Sequence, residues 1–320
     1  MPDGETGSRY MFVAFQRTIF ANHGLGHVVS NTRDKENGWR TFPASEIAST
    51  MESFPELETT YDQAAVESYR IFSDLKRNGS LPKELKFQVC LPTPANFIGI
   101  NIQPDFQALI EPHYETALLR ASERTQAAVP HTDLAVQIDI AMEFAYLTGQ
   151  NYEYFHAPVR YLPLDDKPAL FEKLVSAIVR LADSVAEDVE LGFHFCYGDV
   201  GAKHFIEPED VGLIVEVAAA LRQRVVHRID WMHMPVPQDR TDEAYLAPLA
   251  NLLPLLDPET EVYLGLVHAN DLEGTRARLA SARKVLGDRR FGISTECGLG
   301  RRSEKDLEGV LEVLRAVSGV

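Results

Sequence analysis

The chain has 320 residues, 45% hydrophobic and 24% charged, which is the balance of a soluble globular protein of enzyme size. Its 31 basic and 47 acidic side chains leave a net charge of −16, which opposes binding to nucleic acid or to an anionic membrane. Three widely spaced cysteines, Cys90, Cys196 and Cys297, cannot build a disulfide framework and point to a reducing, cytoplasmic location. The polar, acidic start Met1-Pro2-Asp3-Gly4-Glu5 is not a signal peptide, and no apolar run is long enough to cross a bilayer.

Along the first 80 residues the pattern is weak. Tyr10–Phe20 has the spacing of either a helix or a strand, and Asn31–Arg40 is polar and loop-like. Gln63–Lys76 carries Ala65, Tyr69, Phe72 and Leu75 on one helical face. From residue 80 onward, short apolar runs alternate with long amphipathic stretches. The runs are Leu85–Leu91, Leu134–Ile140, Val189–Cys196, Val225–Met232, Val262–Val267 and Phe291–Thr295, and each reads as a strand buried on both faces. Between them, Leu170, Phe171, Leu174, Val175, Ile178, Leu181 and Val185 form a helical stripe, as do Val211, Ile214, Val215, Ala218 and Leu221. A last helix, with Leu307, Val310, Leu311 and Leu314, is preceded by Ser303 as a candidate cap.

Six consecutive strand–helix units imply a parallel sheet, because parallel strands need long crossovers. Two features favour a TIM (β/α)8-type barrel over an open doubly wound sheet. No glycine-rich phosphate turn follows an early strand. Polar residues also gather at the C-terminal end of almost every strand, where a barrel builds its active site. With no linker, low-complexity tract or internal repeat, residues 1–320 read as a single α/β domain.

The sharpest chemical signal is His194-Phe195-Cys196 at a strand end, where side chains two apart share a face. Imidazole and thiolate together suit zinc, although a core cysteine beside a hydrogen-bonded histidine has the same sequence. Cys297, after the last strand, and His233, at the end of an intervening one, would complete four N/S ligands from three strand ends. Asp230 is the alternative to His233. Strand alternation puts the two on opposite faces, and His233 lies nearer the C-terminal end.

These motifs resemble the catalytic barrel of the cobalamin-independent methionine synthase family, within the larger group that includes uroporphyrinogen decarboxylase. The resemblance rests on His194-Phe195-Cys196-Tyr197 and on Glu296-Cys297-Gly298-Leu299 with Arg301 soon after. It extends to Gln137-Ile138-Asp139, Leu91-Pro92-Thr93-Pro94, Gly4-Glu5 and His268. It implies a Zn2+ ion held by His194, Cys196 and Cys297, with His233 where that family has a glutamate. It also implies transfer of a methyl or other alkyl group to a homocysteine-like thiol. Glu5 would hold a substrate ammonium, Asp139 would orient the substrate or His268, and His268 would donate a proton to the leaving group. The partners implied are a small-molecule thiol and an alkyl donor, either a corrinoid or a short folate.

The chain departs from the family at two places. Ile140 stands where the family's Asp-Glu-Pro-Ala motif has its glutamate. The family's first strand would precede Asp3, so the first strand–helix portion is expected to be missing, together with the N-terminal half of full-length synthases. Two other readings fit the same barrel: a metal-free lyase or decarboxylase, and a non-catalytic ligand-binding barrel. Tyr152, Tyr154 and Phe155 read as packing residues.

Overall fold

The computed structural model of the chain describes residues 7–30, 39–149, 158–198, 204–300 and 302–318. Six strands form one parallel sheet: β1 (Phe87–Pro92), β2 (Leu134–Ile140), β3 (Glu190–Phe195), β4 (Trp231–Pro235), β5 (Glu261–Val267) and β6 (Gly292–Thr295). Each strand pairs with the next in sequence, so the order is β1-β2-β3-β4-β5-β6. Right-handed crossovers in a sequential parallel sheet carry every connecting helix to the same face. The sheet is therefore wound one way, as a sector of a barrel is, with β1 and β6 at its two edges.

The strands show period two. Phe87, Val89 and Leu91 of β1, Val136, Ile138 and Ile140 of β2, and Leu191, Phe193 and Phe195 of β3 are buried on the helix side. Met232 and Met234 of β4 and Val262, Leu264 and Leu266 of β5 continue that face. These residues belong to a hydrophobic cluster running from Phe20 to Leu286. The other face carries Gln88, Cys90, Gln137, Asp139, Trp231, His233 and Tyr263, all half-buried. The expectation of strands buried apolar on both faces is thus corrected. One face makes the core and the other lines an open cleft, so polar side chains there keep contact with water.

The helices follow the apolar stripes. Tyr61–Arg77 packs on β1, Lys167–Ala182 on β2, and Leu272–Leu286 on β5. Glu304–Ser318 begins with the Asp306 N–H donating to Ser303 Oγ at 3.2 Å, the cap read from the sequence. Before β1, the structure resolves the ambiguous Tyr10–Phe20 segment into a helix, Gln16–Asn22, that covers only its second half. Most of Asn31–Arg40, and Tyr152, Tyr154 and Phe155, lie outside the described residues.

The fourth strand is displaced from its expected place. Val225 terminates the helix Gly212–Arg224, and Val226 is 90% exposed. The strand starts at Trp231, and just before it Asp230 ion-pairs with Arg228 while its carboxylate accepts the Leu191 N–H at 2.8 Å. Pro235 is the strand's last residue, a position where its missing N–H costs little.

Two polar ties fix the frame. Arg278, fully buried, donates to the Leu266 carbonyl at 2.8 Å, to the Gln238 carbonyl and to Asp271 at 2.7 Å, which pins the loops beyond β4 and β5. At the opposite end, Asp133 accepts from Tyr69 Oη at 2.7 Å and Lys76 Nζ at 2.8 Å, and Lys76 also reaches the Leu85 carbonyl at 3.0 Å. Partial burial raises the Asp133 carboxyl, but the Lys76 and Tyr69 hydrogen bonds outweigh it and hold the group below the usual carboxylate range.

Asp133→Asn is expected to destabilise the fold by about 1–2 kcal/mol at neutral pH, the worth of a charge-assisted hydrogen-bond pair after solvent screening. Because the folded carboxyl titrates below the unfolded one, the stabilisation is complete above the unfolded value near pH ~4 and fades as pH falls through the folded value. Urea denaturation of both proteins at pH 7 and at pH 3 checks this. A difference that stays constant or grows toward acid contradicts it.

Candidate metal centre and its cleft

The polar face of the sheet lines a cleft of about 650 Å³, into which Met11–Ala14 also reach. In-register pairing sets its chemistry. Asp139 pairs with His194, His194 with His233, His233 with Tyr263, and Tyr263 with Gly292, so these five residues form one row across the sheet. Side chains in such a row project to the same side. A second row, toward the N-terminal strand ends, runs Cys90, Gln137, Gly192, Trp231, Glu261.

At the C-terminal rim the structure brings His194, Cys196 and Cys297 together. One ligand atom from each lies within 4.8 Å of the other two. Cys196 follows β3, where its N–H still donates to the Ile140 carbonyl at 2.8 Å, and its sulfur accepts the Gly198 N–H at 3.3 Å. Cys297 sits in a turn tied by the Thr295 hydroxyl donating to the Cys297 carbonyl at 2.8 Å. Its sulfur is 3.7 Å from that of Cys196, well beyond a disulfide bond length of about 2.05 Å, so both are thiols. The Cys297 hydrogen bond, joined by His194, holds the Cys196 thiol well below the ordinary thiol range despite its burial. The structure thus brings these three residues together as a group that could hold a metal ion.

His233 is placed differently from its expected part as fourth ligand. It faces the cleft beside His194, but outside the three-residue cluster. The two rings stack at 4.7 Å between centroids and 17° between planes, and their Nδ1 atoms are 2.7 Å apart. His233 Nε2 lies 3.0 Å from the Thr295 carbonyl and 2.7 Å from Ser294 Oγ. A carbonyl only accepts, so His233 Nε2 carries the hydrogen and its Nδ1 accepts from His194 Nδ1–H. That tautomer makes Nε2 the basic nitrogen of His194. Burial, with the neighbouring His194, pushes His233 down to about 3, so its ring is neutral. Asp230, the alternative, is at the far end of the strand in its ion pair with Arg228.

Asp139 lines the cleft, with Gln137 Nε2 donating to its Oδ1 at 2.9 Å. His268 is set back from the cleft. Its Nε2 donates to the Val236 carbonyl at 2.9 Å, and its Nδ1 is 3.5 Å from Glu296. Burial lowers its pKa against the pull of Glu296. Glu296 is bracketed on its other side by His204 at 3.2 Å. Burial opposes charge on His204, but Glu296 outweighs it and the ring is pushed up to about 9. Nothing in the sequence around His204 signalled this contact. Ile140, in the place of the family's glutamate, faces the core. Glu143 supplies a buried carboxyl three residues later, accepting from the Thr93 hydroxyl and, at 3.0 Å, from the Ala141 N–H. Burial pushes that carboxyl up to about 7. Glu5 and Arg301 lie outside the described residues.

The sequence reading also missed the aromatic lining. Trp231 lies across Gly192, where a side-chain Cβ would fall 1.9 Å from its ring, and Tyr263 lies across Gly292, where a Cβ would fall 2.2 Å away. Only a residue without a Cβ admits either ring. Trp231 Nε1 donates to Gln137 at 3.3 Å, and Tyr263 Oη donates to Glu261 at 2.6 Å. The signal available was a glycine in a strand, a mark of close approach by another group.

Among the described residues, no helix is long and apolar enough to cross a membrane. No family model and no curated protein sequence matches the chain. One solved structure it is similar to is a B12-independent methionine synthase from Shewanella sp. W3-18-1 in complex with selenomethionine. The identity is 16% and the TM-score 0.49, over 81% of this chain and 65% of that one. The chain therefore spans less than two thirds of that protein's length.

Proposed function

We propose that the chain is a zinc-dependent transferase that moves a methyl or other alkyl group onto a small-molecule thiol of the homocysteine type. The observation that carries this reading is the convergence of His194, Cys196 and Cys297 within 4.8 Å at the mouth of a cleft. As two thiolates and one imidazole, these residues would balance the charge of a zinc ion and match the three-residue ligand sets of catalytic zinc sites. The low pKa of Cys196 favours the thiolate that a metal needs. Bound there, zinc supplies the Lewis acid that presents a substrate thiol as its thiolate at neutral pH.

The chain's own residues divide the remaining work. His233, hydrogen-bonded to Thr295, orients His194 and fixes its tautomer, which replaces the fourth-ligand role read from the sequence. Asp139, steadied by Gln137, faces the cleft one strand from His194 and orients the substrate. Glu5 is assigned to the substrate ammonium by the family resemblance alone. His204 ion-pairs with Glu296, the residue before Cys297, and the neutral His268 ring backs that carboxylate from 3.5 Å, so we place His268 as a positioning residue for that turn. The acidic lining weighs against a decarboxylase for a polyanionic substrate. Among the described residues the cleft presents Asp139, Glu190 and Glu261 against the single ammonium of Lys86.

Metal analysis of the purified protein is expected to find about one zinc per chain, with Cys196→Ser and Cys297→Ser each losing most of it. Full zinc retention in both variants refutes the centre. Alkylation of homocysteine, assayed with methyl-corrinoid, methyl-folate and other donors, then tests the activity itself, and zinc without any thiol alkylation removes the transferase reading. His233→Ala is expected to weaken zinc about 10–100-fold without abolishing binding, as loss of an orienting partner does. Abolition to the level of Cys196→Ser would make His233 a ligand after all.

A further inference from the structure

Beneath the metal cluster the cleft continues along the inner face of the sheet, and its chemistry there is distinctive. Trp231 is two residues before His233, about 7 Å deeper along β4. With one ring face resting on Gly192, its other face turns to the cleft, and Tyr263 is placed the same way over Gly292 in the row of His194 and His233. Carboxylates flank the rings. Glu261 pairs with Trp231 across the strands and accepts from Tyr263, and Asp139 stands at the other end of the upper row. The one ammonium among the described lining side chains, Lys86, ion-pairs with Glu190 at 3.3 Å. Aromatic faces edged by carboxylates in a partly dry cleft attract organic cations through the ring quadrupole and the net negative field.

We propose that the alkyl donor is an organic cation, an ammonium or sulfonium compound whose charged centre sits in the part of the cleft lined by the Trp231 and Tyr263 rings, below the His194–Cys196–Cys297 cluster. The proposal rests on the thiol-alkyltransferase reading and names its second substrate. The substrate thiolate uses a sulfur electron pair to form the new S–C bond. The C–N or C–S bond of the donor breaks, and its electron pair stays on the departing nitrogen or sulfur. An anion and a cation become a neutral thioether and a neutral amine or sulfide, so the leaving group takes up no proton. A folate donor, by contrast, would need a proton for its leaving nitrogen.

Calorimetry compares choline with its uncharged carbon isostere 3,3-dimethylbutan-1-ol, on metal-loaded and chelator-treated protein. Choline is expected to bind both forms, with the isostere at least about tenfold weaker. Tyr263→Leu and Trp231→Leu should each cost choline about tenfold, while Trp231→Phe, which keeps a ring, should retain most of the affinity. Circular dichroism of each variant identifies any that fail to fold, and the isostere comparison on the unaltered protein needs no variant. Equal affinity for choline and the isostere, or choline binding untouched by both leucine variants, overturns the proposal. Methyl transfer to homocysteine from trimethylsulfonium is the expected activity. Transfer from a folate or corrinoid donor but not from trimethylsulfonium overturns the donor class and leaves the thiol alkyltransferase standing. Choline binding by a protein that takes up no zinc even when the metal is supplied overturns the alkyltransferase reading and leaves the cation subsite.

Discussion

Every functional feature of this chain depends on the register of a parallel sheet whose strands follow one another in sequence. Because neighbouring strands pair without a gap, Asp139, His194, His233 and Tyr263 lie side by side although 124 residues separate the first from the last, counting 263 − 139. A slip of one residue between β3 and β4 would turn His233 into the core and leave His194 without its Nδ1 partner. Between β5 and β6 the register shifts by one residue, since Leu264 to Val267 spans three positions against two from Ile293 to Thr295. Such a bulge re-aims the residues after it. It carries the Thr295 carbonyl to His233 and the next turn to Cys196.

The two faces of the sheet have opposite tasks, and their compositions differ accordingly. The helix side supplies the hydrophobic burial that opposes chain entropy. The cleft side gives up that contribution in exchange for polar groups, and the structure limits the cost by pairing them locally. Gln137 serves both Asp139 and Trp231, Tyr263 serves Glu261, and Ser294 and Thr295 serve His233. Paired polar groups on a half-exposed face cost little, whereas unpaired ones would cost several kcal/mol in total.

The stacked histidines also explain how one strand pair orders the centre. His194 has two nitrogens and the cluster needs one. The His233 contact at Nδ1 decides which, and the Thr295 carbonyl decides the direction of the hydrogen bond. The turn of the other cysteine is also set by its neighbours, since His204 ion-pairs with Glu296 and the His268 ring stands behind that carboxylate. The residues beside His194, Cys196 and Cys297 thus carry as much of the geometry as those three do.

The features legible in the amino-acid sequence are local ones. The period of the apolar positions marked five of the six strands and the main helices, Ser303 marked its cap, and the spacing in His194-Phe195-Cys196 put imidazole and thiol on one face, because each of these is set by neighbours within a few residues. The run Val225–Met232 misled, since a β-branched stretch signals a strand but not that Arg228 and Asp230 would be held at its entrance. Which residues from separate strands meet was settled by the three-dimensional fold alone. The partnership of His233 with His194, the retreat of His268 behind Glu296, and the seating of Trp231 and Tyr263 on Gly192 and Gly292 all depend on register and on the absence of a Cβ on the neighbouring strand. Those are relations between segments far apart in the chain, and a pattern read along one strand holds no information about the side chains of the next.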